Sequence, residues 1–152
     1  MSQDDLRENP FRDEICAALE AGGYAEGRKE DYDCEHALDG ARLVEFLEKT
    51  QAAELAKFRG AYGAKWRERL LKTWDDHVEH NGLLKTLKGW VEDYQSGAKF
   101  RAVLFPSGIE DFGAGALEGN VFSVRREFVY EQKTEPHRVD LAIFLNGIPV
   151  AM

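Results

Sequence analysis

Membrane-length apolar runs, cysteine motifs and a surplus of positive charge are all missing from this chain. No stretch of its 152 residues approaches the roughly twenty apolar positions that a bilayer requires, so no membrane partner is expected. The polar start Met1-Ser-Gln-Asp-Asp lacks the basic and apolar segments of a secretion signal. Only two cysteines occur, Cys16 and Cys34, and they form no metal or redox motif. They read as free buried thiols in a reducing, cytoplasmic setting. Basic side chains number 20 against 28 acidic ones, a net charge of −8, which disfavours tight duplex binding through phosphate contacts. Gly108 to Gly119 holds four glycines but no Gly-Lys-Ser/Thr, so it is no Walker phosphate loop. Neither a Pro/Ser-rich linker nor a repeat divides the chain, and residues 1–152 read as one domain.

What is present is an ordinary globular composition, 43% hydrophobic and 32% charged. The acid excess is uneven. Residues 1–76 carry 12 basic and 18 acidic side chains, and residues 77–152 carry 8 and 10, so the second half is close to neutral. Asn9-Pro10 predicts the start of a first helix with Phe11, Ile15, Ala18 and Leu19 as its apolar face and Gly22-Gly23 as its end. Residues 24–36 read as a polar loop or short strand. Asp39 is a cap for a second helix bearing Leu43, Val44, Phe46 and Leu47. A third helical region from about Ala52 carries Trp66, Leu70, Trp74 and Val78 and stops at Asn81-Gly82, before a short amphipathic turn with Leu83, Leu84 and Leu87. Phe58, Trp66 and Trp74 read as helix packing. His77 and His80, with Asp76 and Glu79, read as a solvated helix end rather than a metal site.

Beyond Lys99 the pattern turns to strands: Phe100–Phe105, Val121–Tyr130, and a final hairpin after a turn at Lys133–His137. Helices followed by a strand meander predict an α+β unit. In the hairpin, Val139, Leu141, Ile143 and Leu145 alternate with Asp140, Ala142, Phe144 and Asn146. That alternation sends Asp140 to the face opposite the aliphatic stripe, which is the stripe expected to be buried. Asn146-Gly147 is a strong type I′ turn signal. A two-residue loop pairs Leu145 with Ile148 and sets position 153 opposite Asp140. A three-residue loop with a bulge pairs Leu145 with Pro149 and sets position 154 there. Asp140 is expected on a central strand paired to Val121–Tyr130, facing the first helix, with Arg126 near enough to compensate its charge.

The stretch Val139-Asp140-Leu-Ala-Ile-Phe-Leu-Asn146-Gly147-Ile-Pro149-Val-Ala resembles the PD-(D/E)xK signature of the restriction subunit of type I restriction-modification enzymes, where it runs directly into Glu-Leu-Lys-Asn. The resemblance extends upstream in consistent order. Phe11, Ile15, Leu19, Gly23 and Tyr24 resemble the family's opening helix, and Tyr32-Asp33-Cys-Glu-His-Ala37-Leu38-Asp39 with Phe46 and Thr50-Gln51 its next block. Phe100–Phe105 with Pro106-Ser-Gly108, then Asn120, Val124, Arg126 and Tyr130, resemble the strands entering its site.

The resemblance implies a restriction-endonuclease-like core of α+β (α/β) class, with N-terminal helices, a mixed or antiparallel meander and a truncated last strand. It implies Mg²⁺-dependent DNA phosphodiester cleavage in the parent subunit, with Asp140 as catalytic metal ligand and Glu8, or failing it Glu14, as a second acid. In such a site two carboxylates hold the metal, which lowers the pKa of a bound water. Arg126, Glu127, Asn146 and Gly147 are implied as supporting or DNA-proximal residues. The implied partners are DNA and the methyltransferase and specificity subunits, and ATP belongs to motor domains downstream. Cys34, Ala52 and Glu127 depart from the family's usual basic residue, proline and Gln. The Glu-x-Lys is absent from residues 1–152, so the chain is expected to be inactive alone. The alternative is a non-catalytic acidic interaction protein or DNA mimic acting on restriction complexes, in keeping with the net charge.

Overall fold

A computed structural model describes the backbone of residues 5–105, 116–132 and 135–152 and the side chains of 10–105, 118–130 and 135–152. The fold is a mixture of helix and sheet, α+β. Helix α1 (Asp5–Ala21) begins earlier than Asn9-Pro10 predicts and contains Pro10. Proline near a helix start loses only an early backbone bond, a cost the remaining turns absorb. The inward side also differs from the expected apolar face. Phe11 is 66% exposed whereas Cys16 is fully buried. Arg12, Ile15, Cys16, Leu19 and Glu20, spaced for one helix face, are the residues sheltered from solvent.

Strand β1 (Ala25–Glu26) follows, then a 3₁₀ turn (Lys29–Asp31) and the short pair β2 (Tyr32–Asp33) and β3 (Leu38–Asp39). Asp39 caps α2 (Gly40–Thr50) as expected: its carboxylate accepts the Arg42 N–H at 3.1 Å. Leu43, Val44, Phe46 and Leu47 are all buried. The predicted third helical region is two helices, α3 (Ala52–Tyr62) and α4 (Trp66–Asn81), separated by a 3₁₀ turn at Gly63, whose φ of 58° interrupts the α-helical run. Helix α5 (Leu83–Lys88) is short, and it buries Thr86 while Leu84 stays 64% exposed.

The strand predicted at Phe100–Phe105 is found earlier and shorter, as β5 (Ala98–Arg101), and it forms a hairpin with an unforeseen strand β4 (Trp90–Asp93) that lies against α3 and α4. Its Phe100 packs on Phe58 and Trp74 with ring centroids 5.9 and 5.5 Å away, which makes this the centre of the main core. Gln51, between α2 and α3, pairs with β5 as a strand would: its amide accepts the Arg101 N–H at 2.7 Å and donates to the Arg101 carbonyl at 3.0 Å. The loop predicted from Pro106 lies outside the described residues apart from a 3₁₀ turn at Ala116–Gly119.

The remaining strands, β6 (Phe122–Gln132), β7 (Glu135–Leu145) and β8 (Ile148–Ala151), form a sheet of order β1-β6-β7-β8. Among the described strands of this sheet, β1–β6 is parallel and the other pairings are antiparallel. The turn predicted at Lys133–His137 is shorter, because β7 already begins at Glu135; Lys133 and Thr134 lie outside the described residues. Among the described residues, no helix is long and apolar enough to cross a membrane.

Candidate functional site

The hairpin turn is anchored from beneath. Asn146 and Gly147 take φ values of 51° and 83°, the two positive values that a type I′ turn requires. Asn146 is fully buried, and its amide accepts the Val121 N–H at 2.6 Å and donates to the Ala102 carbonyl at 2.9 Å and to Asn120 Oδ1 at 3.0 Å. The Gly147 carbonyl accepts the Asp39 N–H at 2.8 Å, and a Cβ on Gly147 would overlap the Asp39 carbonyl. The turn is therefore docked on the start of α2. Asn146 and Gly147 support the hairpin from within the core and present no surface to DNA.

Register follows from that turn. Leu145 pairs with Ile148 and Phe144 with Pro149, as a two-residue loop dictates, but a bulge then pairs Ile143 with Ala151. Continued along this register, position 154 stands opposite Asp140. The sequence offered 153 or 154 by two different loops, and the structure reaches 154 by a bulge the sequence reading did not place there.

Asp140 lies on β7, between β6 and β8, and is exposed. Among the described residues it makes no hydrogen bond or ion pair. The aliphatic stripe beside it is not the buried one. Ala142 and Phe144, of Asp140's own parity, are fully buried, while Val139, Leu141, Ile143 and Leu145 are only half-buried. The reason is a small aromatic core in which Phe144 and Phe128 meet edge to face at 5.5 Å beneath Tyr32.

Arg126 does not compensate Asp140, contrary to expectation. It stands opposite Leu141 and reaches instead to Asp13, Glu20 and Glu26 at 3.5–3.6 Å. A hydrogen bond to the Cys16 sulfur, with Glu20 and Asp13 nearby, holds its pKa above the ordinary arginine value. Glu127 sits between the residue pairs Arg126–Leu141 and Phe128–Val139, hence across from Asp140, but its φ of 50° breaks the ladder there. Its carboxylate accepts from Arg12 at 3.2 Å and Arg138 at 3.1 Å. The left-handed residue also breaks side-chain alternation: Arg125 lies over Phe128 at 5.0 Å, although residues three apart in a regular strand face opposite ways.

Glu8 lies outside the described side chains. Glu14 is exposed on α1. Among the described residues no group of three His, Cys, Asp or Glu side chains is placed to hold a metal. One free carboxylate is too few ligands for an octahedral Mg²⁺ site, so the residues described do not by themselves fit the ion.

Beside Asp140's strand, sequence reasoning missed a cavity of about 550 Å³ lined by Lys29, Tyr32, Arg125, Arg126, Glu127 and Arg138, among others. Its signal in the sequence was an arginine, Arg125, set directly after Val124 on a strand with hydrophobic neighbours. Burial keeps the Tyr32 phenol pKa above its ordinary value, with Cys34 adding to the shift and Arg125 opposing it. No protein-family model matches the chain, and comparison with curated proteins and with solved structures finds no significant match for it.

Proposed function

We propose that this chain carries part of the DNA-cleaving domain of a type I restriction subunit, a restriction-endonuclease-like core in which Asp140 is one of the metal-binding carboxylates. The observation that carries the reading is an exposed, unpartnered Asp140 on an inner strand whose hairpin register sets position 154 across from it. The acidic-mimic alternative needs clustered carboxylates on one face, and an isolated Asp140 does not favour it.

The described residues contribute Asp140 alone toward such a site, on a strand whose Asn146-Gly147 turn is docked on the start of α2. DNA, Mg²⁺ and the methyltransferase and specificity subunits belong to the parent assembly in this proposal.

The test is the coding sequence beyond Met152, followed by cleavage of supercoiled plasmid. Glu at 154 and Lys at 156, with Mg²⁺-dependent nicking by the extended chain that Asp140→Ala abolishes, is the expected outcome. Another residue pair at 154 and 156, or nicking indifferent to Asp140, would refute the reading.

A further inference from the structure

We propose that the cavity between β2 and the β6–β7 ladder is a binding site for a phosphate group of a nucleic-acid strand. Four cationic side chains, Lys29, Arg125, Arg126 and Arg138, line it against one carboxylate, Glu127. Two of these cations are committed elsewhere. Arg138 is paired with Glu127, and Arg126 with the carboxylates of α1 and β1. Lys29 and Arg125 make no direct ion pair among the described residues, although Arg125 lies within electrostatic range of the buried Asp39 carboxyl.

Arg125 is the decisive group. It is only 6% exposed, and its Nη1 is shut off from solvent without a hydrogen-bond partner. A buried guanidinium without a direct ion pair is costly, and what offsets the cost here is the Asp39 carboxyl in electrostatic range together with two rings, Phe128 at 5.0 Å and Tyr32 at 5.5 Å. The backbone makes room for it. Gly27 lies so close that a Cβ would run into the Arg125 side chain, while the Gly27 N–H bonds the Val124 carbonyl at 2.9 Å. Such a cradle holds the planar fork in one orientation, which favours recognition of a tetrahedral oxyanion. Lys29, exposed at the cavity's rim, adds a flexible point charge, and the protonated Tyr32 hydroxyl adds a neutral donor.

The chemistry of the pocket stands on these residues alone. Assigning the phosphate to a nucleic-acid strand rests on the DNA-cleaving reading of Asp140, which lies across from the Glu127 that walls the cavity.

The experiment uses the 152-residue chain, with inorganic phosphate and a single-stranded octanucleotide, with and without a 5′-phosphate, as probes. Amide and arginine-Nε NMR shifts provide the readout. Phosphate should shift Gly27, Lys29 and Arg125 signals, and the oligonucleotide should compete for them. Arg125→Gln should weaken binding at least about tenfold, as loss of a charge-assisted contact does, and the surface variant Lys29→Gln about threefold. Lys29→Gln alters an exposed side chain, so it keeps the test valid if Arg125→Gln fails to fold. Competition only by the 5′-phosphorylated strand assigns the pocket to a strand terminus, and competition by both strands to an internal phosphate. Phosphate binding without oligonucleotide competition overturns the nucleic-acid source while leaving the pocket. No shift with either probe, or affinity unchanged in Lys29→Gln together with any folded Arg125→Gln, overturns the site itself.

Discussion

Replacing Asn146 by glycine separates the turn's backbone requirement from its side-chain network. Glycine accepts a φ of 51° without strain, so the turn keeps its conformation and only the amide is lost. Two backbone groups then lose partners in a fully buried place: the Val121 N–H and the Ala102 carbonyl. Asn120 Oδ1 keeps its bond from the Leu104 N–H, and the Asn146 backbone N–H still donates to the Val121 carbonyl. An unsatisfied buried group costs about 1–3 kcal/mol, so Asn146→Gly should lose about 2–6 kcal/mol. That is a large share of the roughly 5–15 kcal/mol a domain possesses. Asn146→Ala should lose about 1 kcal/mol more, because a Cβ in left-handed backbone adds strain. Asn146→Asp tests the polarity of the network: it keeps an acceptor for Val121 but turns an anionic oxygen toward the Ala102 carbonyl and Asn120 Oδ1. It should be no better tolerated than glycine. Urea unfolding followed by circular dichroism measures all three. An Asn146→Gly variant within about 0.5 kcal/mol of the parent would show that water replaces the amide, and the docked-turn account of Asp140's placement would fail.

Asp39 is fully buried, and burial holds its pKa above the usual 3.8 although the Arg42 N–H opposes the shift. The native state then binds the proton more tightly than the unfolded chain, so stability falls as pH rises from 3.8 through the raised value. Asp39→Asn, still a good helix cap, should therefore match the parent below that window and be more stable at pH 7 in thermal melts; equal stability at both ends would contradict the burial argument. Asp140→Ala should change unfolding free energy by less than about 0.5 kcal/mol, since the side chain is exposed and unpartnered, and a larger loss would mean it has a structural role. The 152-residue chain should not nick supercoiled plasmid in Mg²⁺ or Mn²⁺, and reproducible nicking abolished by Asp140→Ala would overturn the incomplete-ligand account. Duplex DNA should bind weakly with a shallow salt dependence, because the net charge is −8 and the basic residues are scattered along the chain; sub-micromolar affinity at physiological salt would refute this.

Local chemistry with a short range was legible in the sequence. The Asp39 cap, the burial of Leu43, Val44, Phe46 and Leu47, and the Asn146-Gly147 turn with Leu145 against Ile148 all depend on residues within a few positions of one another. What failed depended on partners far away. The inner face of α1 keeps the expected Ile15 and Leu19 but adds Arg12 and Glu20, because it meets Glu127 and Arg126, more than a hundred residues on. The β4–β5 hairpin hid in a segment with aromatic and charged residues, and its register is fixed by Gln51 and the Phe58–Trp74 wall rather than by its own pattern. The stripe of β7 misled because its aliphatic residues are the obvious core candidates, yet the space on the other face is filled by Phe144, Phe128 and Tyr32.

The left-handed Glu127 is the point at which fold and candidate site meet, and the charges around it are divided in a way the net charge does not describe. A net charge of −8 describes the field far from the protein, whereas screening confines each charge to about 8–10 Å in ordinary salt. Within that range the chain is divided. Ordinary alternation on β6 sends Arg126 to the acids of α1 and Arg125 to the other face, and the break at Glu127 brings Phe128 onto Arg125's side. Neighbouring arginines that differ in parity by a single residue end with different surroundings, one ion-paired to carboxylates and one set against rings without a direct ion pair among the described residues. A regular strand through the same residues would oppose Phe128 to the Ala142–Phe144 face and leave Arg125 without the ring that shelters it. Non-glycine residues hold positive φ at a cost, and here that cost accompanies a ring, Phe128, placed against Arg125.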